Sequence, residues 1–186
     1  MVRFLLEYLW IDGDGNVRSK TKVQDFSKDE ITVEDLSDWN YDGSSTKQAL
    51  GNDSEVIIRP RAIYPDPFRG APNLLVMCDT WLPNGQPHPD NNRVRAMDIF
   101  SQRSGDEPMF GLEQEFFISK YTNDKLVPIG FLNEKNQEYE CKEQGDYYCG
   151  VGGRNVLGKD LIEETLENLL YSNIAITGMN AEVAPS

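Results

Sequence analysis

At 186 residues and 21.1 kDa, with 39% hydrophobic and 10% aromatic residues, the chain can bury a sizeable core, which excludes an intrinsically disordered protein. A net charge of −13, with no run of lysine or arginine, excludes the basic footprint that nucleic acids and anionic membranes require. Neither is expected as a partner.

In chain order, Phe4 to Ile11 is an apolar strand and Asn16 to Val23 a second. The second alternates, with Val17, Ser19, Thr21 and Val23 on one face and Arg18, Lys20 and Lys22 on the other. Asp12-Gly13-Asp14-Gly15 joins them as a hairpin turn. The turn faintly resembles the start of an EF-hand loop, but Val17 and Val23 stand where that loop needs glycine and glutamate. Residues 24 to 38 read as acidic and irregular, and Trp39 to Thr46 as a loop in which Asp42-Gly43 turns the chain and the Ser44-Ser45-Thr46 hydroxyls can bond backbone or an anion. Two more strands follow, Glu55 to Tyr64 and Leu74 to Trp81, with Pro60 demoting part of the first to an edge or a bulge. Residues 1–85 therefore read as a small, mostly β domain, and Asn84 to Asp90 as a polar, proline-rich connector. His88, the single histidine, lies there between two prolines and reads as a surface residue.

The second region, 92–186, opens with a short helix from Asn92 to Arg103. Met109 to Ile118 then reads as a strand with Glu113, Glu115 and Phe117 on one face. The two carboxylates would have Cα atoms about 6.5–7 Å apart, within reach of a bridging hard cation such as Mg²⁺ or Mn²⁺. A solvated outer face of an antiparallel sheet would carry the same acids. Residues 120 to 146 are polar, with Asn133 to Glu138 at the centre of an exposed loop or long hairpin. Tyr147 to Gly152 reads as a strand end breaking into glycines, Gly158 to Tyr171 as an amphipathic helix with Leu161, Ile162, Leu166, Leu169 and Leu170 on one stripe, and Ile174 to Val183 as a last strand. Gly153 to Lys159 fits seven positions of a P-loop, but the eighth is Asp160, a carboxylate where a hydroxyl must meet Mg²⁺, so no P-loop is read there.

Three cysteines, Cys78, Cys141 and Cys149, without C-x-x-C spacing, point to a reducing compartment. The residues Met1 to Glu7 lack the apolar stretch of a signal peptide, and no stretch approaches the roughly 18 apolar residues of a membrane helix. A soluble, cytoplasmic protein is the expectation.

Five motifs carry a family resemblance: Trp39-Asn40-Tyr41-Asp42-Gly43-Ser44-Ser45-Thr46, Asp66-Pro67-Phe68-Arg69, Phe110-Gly111-Leu112-Glu113-Gln114-Glu115, Tyr147-Tyr148-Cys149-Gly150-Val151-Gly152 and Asn180-Ala181-Glu182-Val183. In order and approximate spacing the chain resembles eukaryotic-type glutamine synthetase from about residue 7 to residue 186. The resemblance implies an α+β fold: a β-grasp amino-terminal domain, then the start of a catalytic domain built on a curved antiparallel sheet with helices. It implies the ATP-dependent joining of ammonia to L-glutamate through γ-glutamyl phosphate. It also implies Mg²⁺ or Mn²⁺ held by Glu113, Glu115 and Glu182, and an ammonium site at Asp42 and Ser45. Tyr148 and Gly150 would lie near nucleotide and substrate. The implied assembly is a homo-oligomer, a decamer of two pentameric rings in which the Asp42 loop serves the neighbouring subunit. The sequence stops after Glu182 and lacks the family's later ligands and arginines, so the 186 residues alone are expected to be inactive and poorly soluble as a monomer. The helical amino-terminal arm of animal members is absent, and residues 132 to 144 look longer than usual. Two alternatives stay open: a non-catalytic relative kept for structure or interaction, and a ligase joining glutamate to another amine.

Overall fold

The computed structural model describes residues 1–122, 124–132, 143, 145–152 and 155–185. The expected loop at Asn133 to Glu138, Cys141, most of the longer 132–144 stretch, and Gly153 and Arg154 of the P-loop-like run lie outside them. By its contacts the chain forms two units, Met1–Met109 with Tyr171–Asn173, and Phe110–Leu170 with Ile174–Ser186.

In the first unit five strands form one sheet: β1 (Val2–Ile11), β2 (Val17–Phe26), β3 (Trp39–Asp42), β4 (Glu55–Pro65) and β5 (Leu74–Trp81), in the order β2-β1-β5-β4-β3. β1 and β5 run parallel, and the other neighbours are antiparallel. Period-two alternation puts Phe4, Leu6, Tyr8 and Trp10 on one face of β1, where they are buried with Ile58, Val76 and Cys78. Aromatic rings close this core: Phe26 meets Phe4 edge-on at 5.3 Å, Trp39 meets Tyr8 at 5.6 Å, and Tyr41 stacks on Trp10 at 4.4 Å.

Register decides which face of β2 turns inward. Lys20, Lys22 and Gln24 stand opposite Tyr8, Leu6 and Phe4, so the lysine face shares the core side, while Val17 and Val23 are exposed. The lysine stems lie over aromatic rings, with the Lys20 ammonium 3.9 Å from the Trp39 ring centre. Pro60 marks a bulge, since the β4–β5 register shifts between Pro60 and Ala62. β4 is an interior strand, not an edge, and tolerates the proline because β3 pairs only with Glu55 to Ile58.

The stretch from 24 to 38, expected to be irregular, is ordered in two places. β2 continues to Phe26, and a 3-10 turn at Val33–Asp35 is closed by the Thr32 N–H on the Asp35 carboxylate. The Asp66 motif is a structural joint. Its buried carboxylate accepts the N–H groups of Phe68 and Arg69, and the Arg69 guanidinium bridges Asp66 to Glu7 on β1.

The hairpin turn is held by Asp12, buried to 2% exposure, which accepts the N–H groups of Asp14 and Asn16 and pairs with Arg18 at 2.7 Å. Burial pushes its pKa up, but these donors outweigh it and hold the carboxyl down at about 2. A folded pKa below the unfolded value of 3.8 stabilises the fold fully above that value and loses the contribution as pH falls toward 2. Acid titration of the folded protein is therefore expected to show an unfolding component between about pH 4 and pH 2 that Asp12→Asn removes. An unchanged acid profile in that variant would refute this account.

Helix α1 (Asn92–Gln102) starts where expected, capped by Asn91, whose Oδ1 accepts the Val94 N–H at 3.3 Å. It buries none of its residues.

The second unit holds a short hairpin, β6 (Ser119–Thr122) with β7 (Lys125–Pro128), and helix α2 (Lys159–Tyr171). Gly158 precedes α2 at φ +70°, a left-handed conformation that favours glycine, and a Cβ there would press on the terminal methyls of Ile118 at 2.6 Å and Ile129 at 3.0 Å. The apolar stripe of α2 narrows to Ile162, Leu166 and Leu169, which are half-buried, while Leu161 and Leu170 are exposed. Three expectations are corrected here. Residues 109 to 118 and 174 to 183 form no strand, and Tyr147 to Cys149 belong to a turn. A strand exists only when a neighbour completes its hydrogen-bond ladder, and among the described residues each segment makes only isolated backbone bonds rather than a ladder. Met109 and Leu112 stand almost fully exposed as a result.

Candidate active site

The residues singled out by sequence fall in two groups, one in each unit. Asp42 ends β3 and caps the 3-10 turn Gly43–Thr46, so the expected loop is a strand end followed by a tight turn. Its Oδ1 accepts the Ser44 N–H at 2.9 Å and the Ser44 hydroxyl at 2.6 Å, an Asx-type turn. These two donors, followed by the Ser54 side chain, hold the Asp42 pKa below the usual carboxylate range. Asp42 and Ser45 are both exposed on this turn.

The turn is fixed from below. Gly43 is buried, and a Cβ there would stand 2.5 Å from Val56 Cγ2 and 3.0 Å from the Ala49 Cβ. Its carbonyl accepts the N–H groups of Gln48 and Ala49, and its own N–H reaches the Ser54 carbonyl at 2.6 Å. The Gly13 N–H of the first hairpin bonds the Thr46 carbonyl, and Lys47 pairs with Asp14. His88 is not a surface residue. It is 6% exposed, its Nε2 lies 2.7 Å from the Gln48 carbonyl, and its Nδ1 accepts the Asp90 N–H. Its flanking prolines and polar neighbours suggested solvent, but folding lays the connector against the Asp42 turn. Ser54 and Gln48 escaped the sequence reading, His88 was read there only as a surface residue, and Ser44 was named only as one of three hydroxyls able to bond backbone or an anion. Ser44 alone carried a local signal, the two-residue spacing of an Asx turn.

In the second unit Glu113, Glu115 and Glu182 are all exposed. The turn at 145–149 is tied to the segment bearing Glu182 by two backbone bonds: Gly145 N–H to the Val183 carbonyl at 3.2 Å, and Cys149 N–H to the Ala181 carbonyl at 2.9 Å. This brings Tyr148 beside Glu182. The Tyr148 pKa is raised, first by Cys149, then by Glu182, and also by Glu113. Asn180 donates to Glu182 Oε1 at 2.8 Å and fixes its direction. Gly150 closes the same turn on the buried Tyr147, and a Cβ at Gly150 would meet Asn155 at 3.0 Å.

The donor set suits a hard cation, because it offers only carboxylate oxygens. Among the described residues no group of three or more His, Cys, Asp or Glu side chains is gathered closely enough to hold an ion unaided. Exposed carboxylates fit the way Mg²⁺ is commonly bound, by few protein ligands plus substrate phosphates.

Comparison with known proteins places the sequence among relatives of one kind. The family model for the glutamine synthetase β-grasp domain matches residues 2–83. Over 98% of its length the chain is 44% identical to a chloroplastic/mitochondrial glutamine synthetase of Arabidopsis thaliana, covering 41% of that protein. It is 44% identical to the glutamine synthetase of Tuber borchii, covering 48% of it, and 43% identical to a cytosolic glutamine synthetase isozyme of Daucus carota, covering 50%, each over 98% of this chain. The chain thus spans about half the length of the curated relatives it matches. Residues 2–83 thus match the glutamine synthetase β-grasp domain, and the chain is similar to glutamine synthetases over nearly its whole length.

Proposed function

We propose that the chain supplies the ammonium-binding turn and the first metal-binding carboxylates of a glutamate–ammonia ligase. The observation that carries this reading is 43–44% identity to glutamine synthetases across 98% of the chain, in a protein whose Asp42 carboxyl is held ionised in an ordered, exposed turn. The reaction is L-glutamate plus ATP giving γ-glutamyl phosphate and ADP, followed by attack of ammonia to give L-glutamine and phosphate.

Asp42 first acts as a fixed negative charge. Ser44 and Ser54 favour its ionised form, so it holds an ammonium cation, and it accepts the ammonium proton as nitrogen attacks the acyl phosphate. Ser45, exposed on the same turn, adds a hydroxyl to that pocket. Glu113, Glu115 and Glu182 hold Mg²⁺ or Mn²⁺, which when bound neutralises phosphate oxygens so that a carboxylate can approach ATP. Tyr148 and Gly150 shape the wall beside Glu182, toward nucleotide and substrate. The working assembly is a cytoplasmic decamer of two pentameric rings, with the Asp42 turn serving a neighbouring subunit. The 186 residues alone are inactive.

The test is to purify the protein from its source, measure its subunit mass, and assay glutamine formation with ATP, ammonium, glutamate and Mg²⁺. A subunit near twice 21.1 kDa that forms glutamine only when all are present is the expected result. Absence of glutamine from an intact oligomer overturns the reading. A subunit of 21.1 kDa without activity favours a non-catalytic interaction protein instead.

A further inference from the structure

His88, a buried imidazole with both nitrogens engaged, has no part in the proposed chemistry. The Asp90 N–H donates to Nδ1 at 3.2 Å, so the proton of the neutral ring sits on Nε2 and is donated to the Gln48 carbonyl at 2.7 Å. Gln48 is itself 7% exposed and bonded at every polar group. Its N–H donates to the Gly43 carbonyl, its side-chain amide to the Ile11 carbonyl, and its Oε1 accepts the Tyr41 hydroxyl. Gly43 is the residue next to Asp42, and its carbonyl also receives the Ala49 N–H. A continuous set of bonds therefore runs from the connector through His88 and Gln48 to the backbone that aims Asp42.

We infer that His88 is a positioning residue for the ammonium site, acting through the Gln48 carbonyl to fix the direction of the Asp42 carboxylate. The inference rests on the proposed ligase reading for its ligand, ammonium, and on geometry alone for the mechanical link. A hydrogen bond from a buried ring to a backbone carbonyl fixes the turn without touching substrate, so its loss leaves Asp42 present but less well directed.

The link is tested in the protein as purified by amide hydrogen exchange, comparing wild type with His88→Leu and His88→Gln. Leucine removes the donor, while glutamine places an N–H near the Nε2 position. Expected for His88→Leu is exchange about tenfold faster at Ser44, Gln48 and Ala49, with Leu6 and Tyr8 unchanged, and return toward wild-type rates in His88→Gln. In the glutamine assay the KM for ammonium rises about tenfold in His88→Leu while kcat stays within about twofold, and His88→Gln restores it. Unchanged exchange at the three amides in His88→Leu, or a rise spread equally over Leu6 and Tyr8, overturns the inference. If wild type makes no glutamine the ligase reading fails, and the exchange result still decides the link between His88 and the turn.

Discussion

Under the proposed ligase reading, Asp42→Asn in the protein as purified from its source is expected to lower kcat/KM for ammonium by about 10²- to 10⁴-fold, the usual range for loss of a positioned proton acceptor. Asparagine keeps an oxygen that can accept the Ser44 N–H, so the turn should persist. What is lost is the negative charge that Ser44 and Ser54 maintain. ATP binding, measured by calorimetry with Mg²⁺, should match wild type, which separates the ammonium step from nucleotide binding. Activity within about threefold of wild type, on the scale where such an acceptor contributes at least 10²-fold, would remove Asp42 from the chemistry.

Tyr8→Ala is expected to destabilise the β domain by about 3–5 kcal/mol, the range for deleting a buried aromatic ring. Tyr8 has no exposed surface, packs edge-on against Trp39 and donates its hydroxyl to the Ser37 carbonyl at 3.0 Å. Its pKa is raised to about 12, chiefly by burial. Alanine leaves a cavity and an unpaired carbonyl at once, in a domain whose total stability is on the order of 5–15 kcal/mol. Tyr8→Phe removes only the hydroxyl and should cost about 1 kcal/mol. Urea unfolding followed by tryptophan fluorescence distinguishes the two. A loss below about 1 kcal/mol for Tyr8→Ala would mean that the site repacks and that this face of β1 is not the core.

Local pattern was sufficient where hydrogen-bond partners are close in sequence or where one face is continuously apolar. The β1–β2 hairpin, β5, the bulge at Pro60 and both helix starts were legible for this reason. The carboxylates Asp42, Glu113, Glu115 and Glu182 were legible only as members of ordered motifs, since each acid by itself reads equally well as a solvated side chain. Their expected chemistry therefore came from sequence, while folding tied the Tyr148 turn to the segment that bears Glu182.

The sequence by itself determined the class of the first region, since strand alternation and turn residues specify a mostly β domain, and the five ordered motifs carry the resemblance that implied a β-grasp domain and its acids. Only the tertiary structure decided which face of β2 meets the core, because an alternating strand offers two faces and register against β1 selects between them. It likewise decided that Met109 to Ile118 stays outside any sheet among the described residues, because strand propensity becomes a strand only with a partner. Tertiary structure also buried His88, since its bond to Gln48 spans 40 residues and no local pattern encodes a contact made at that separation.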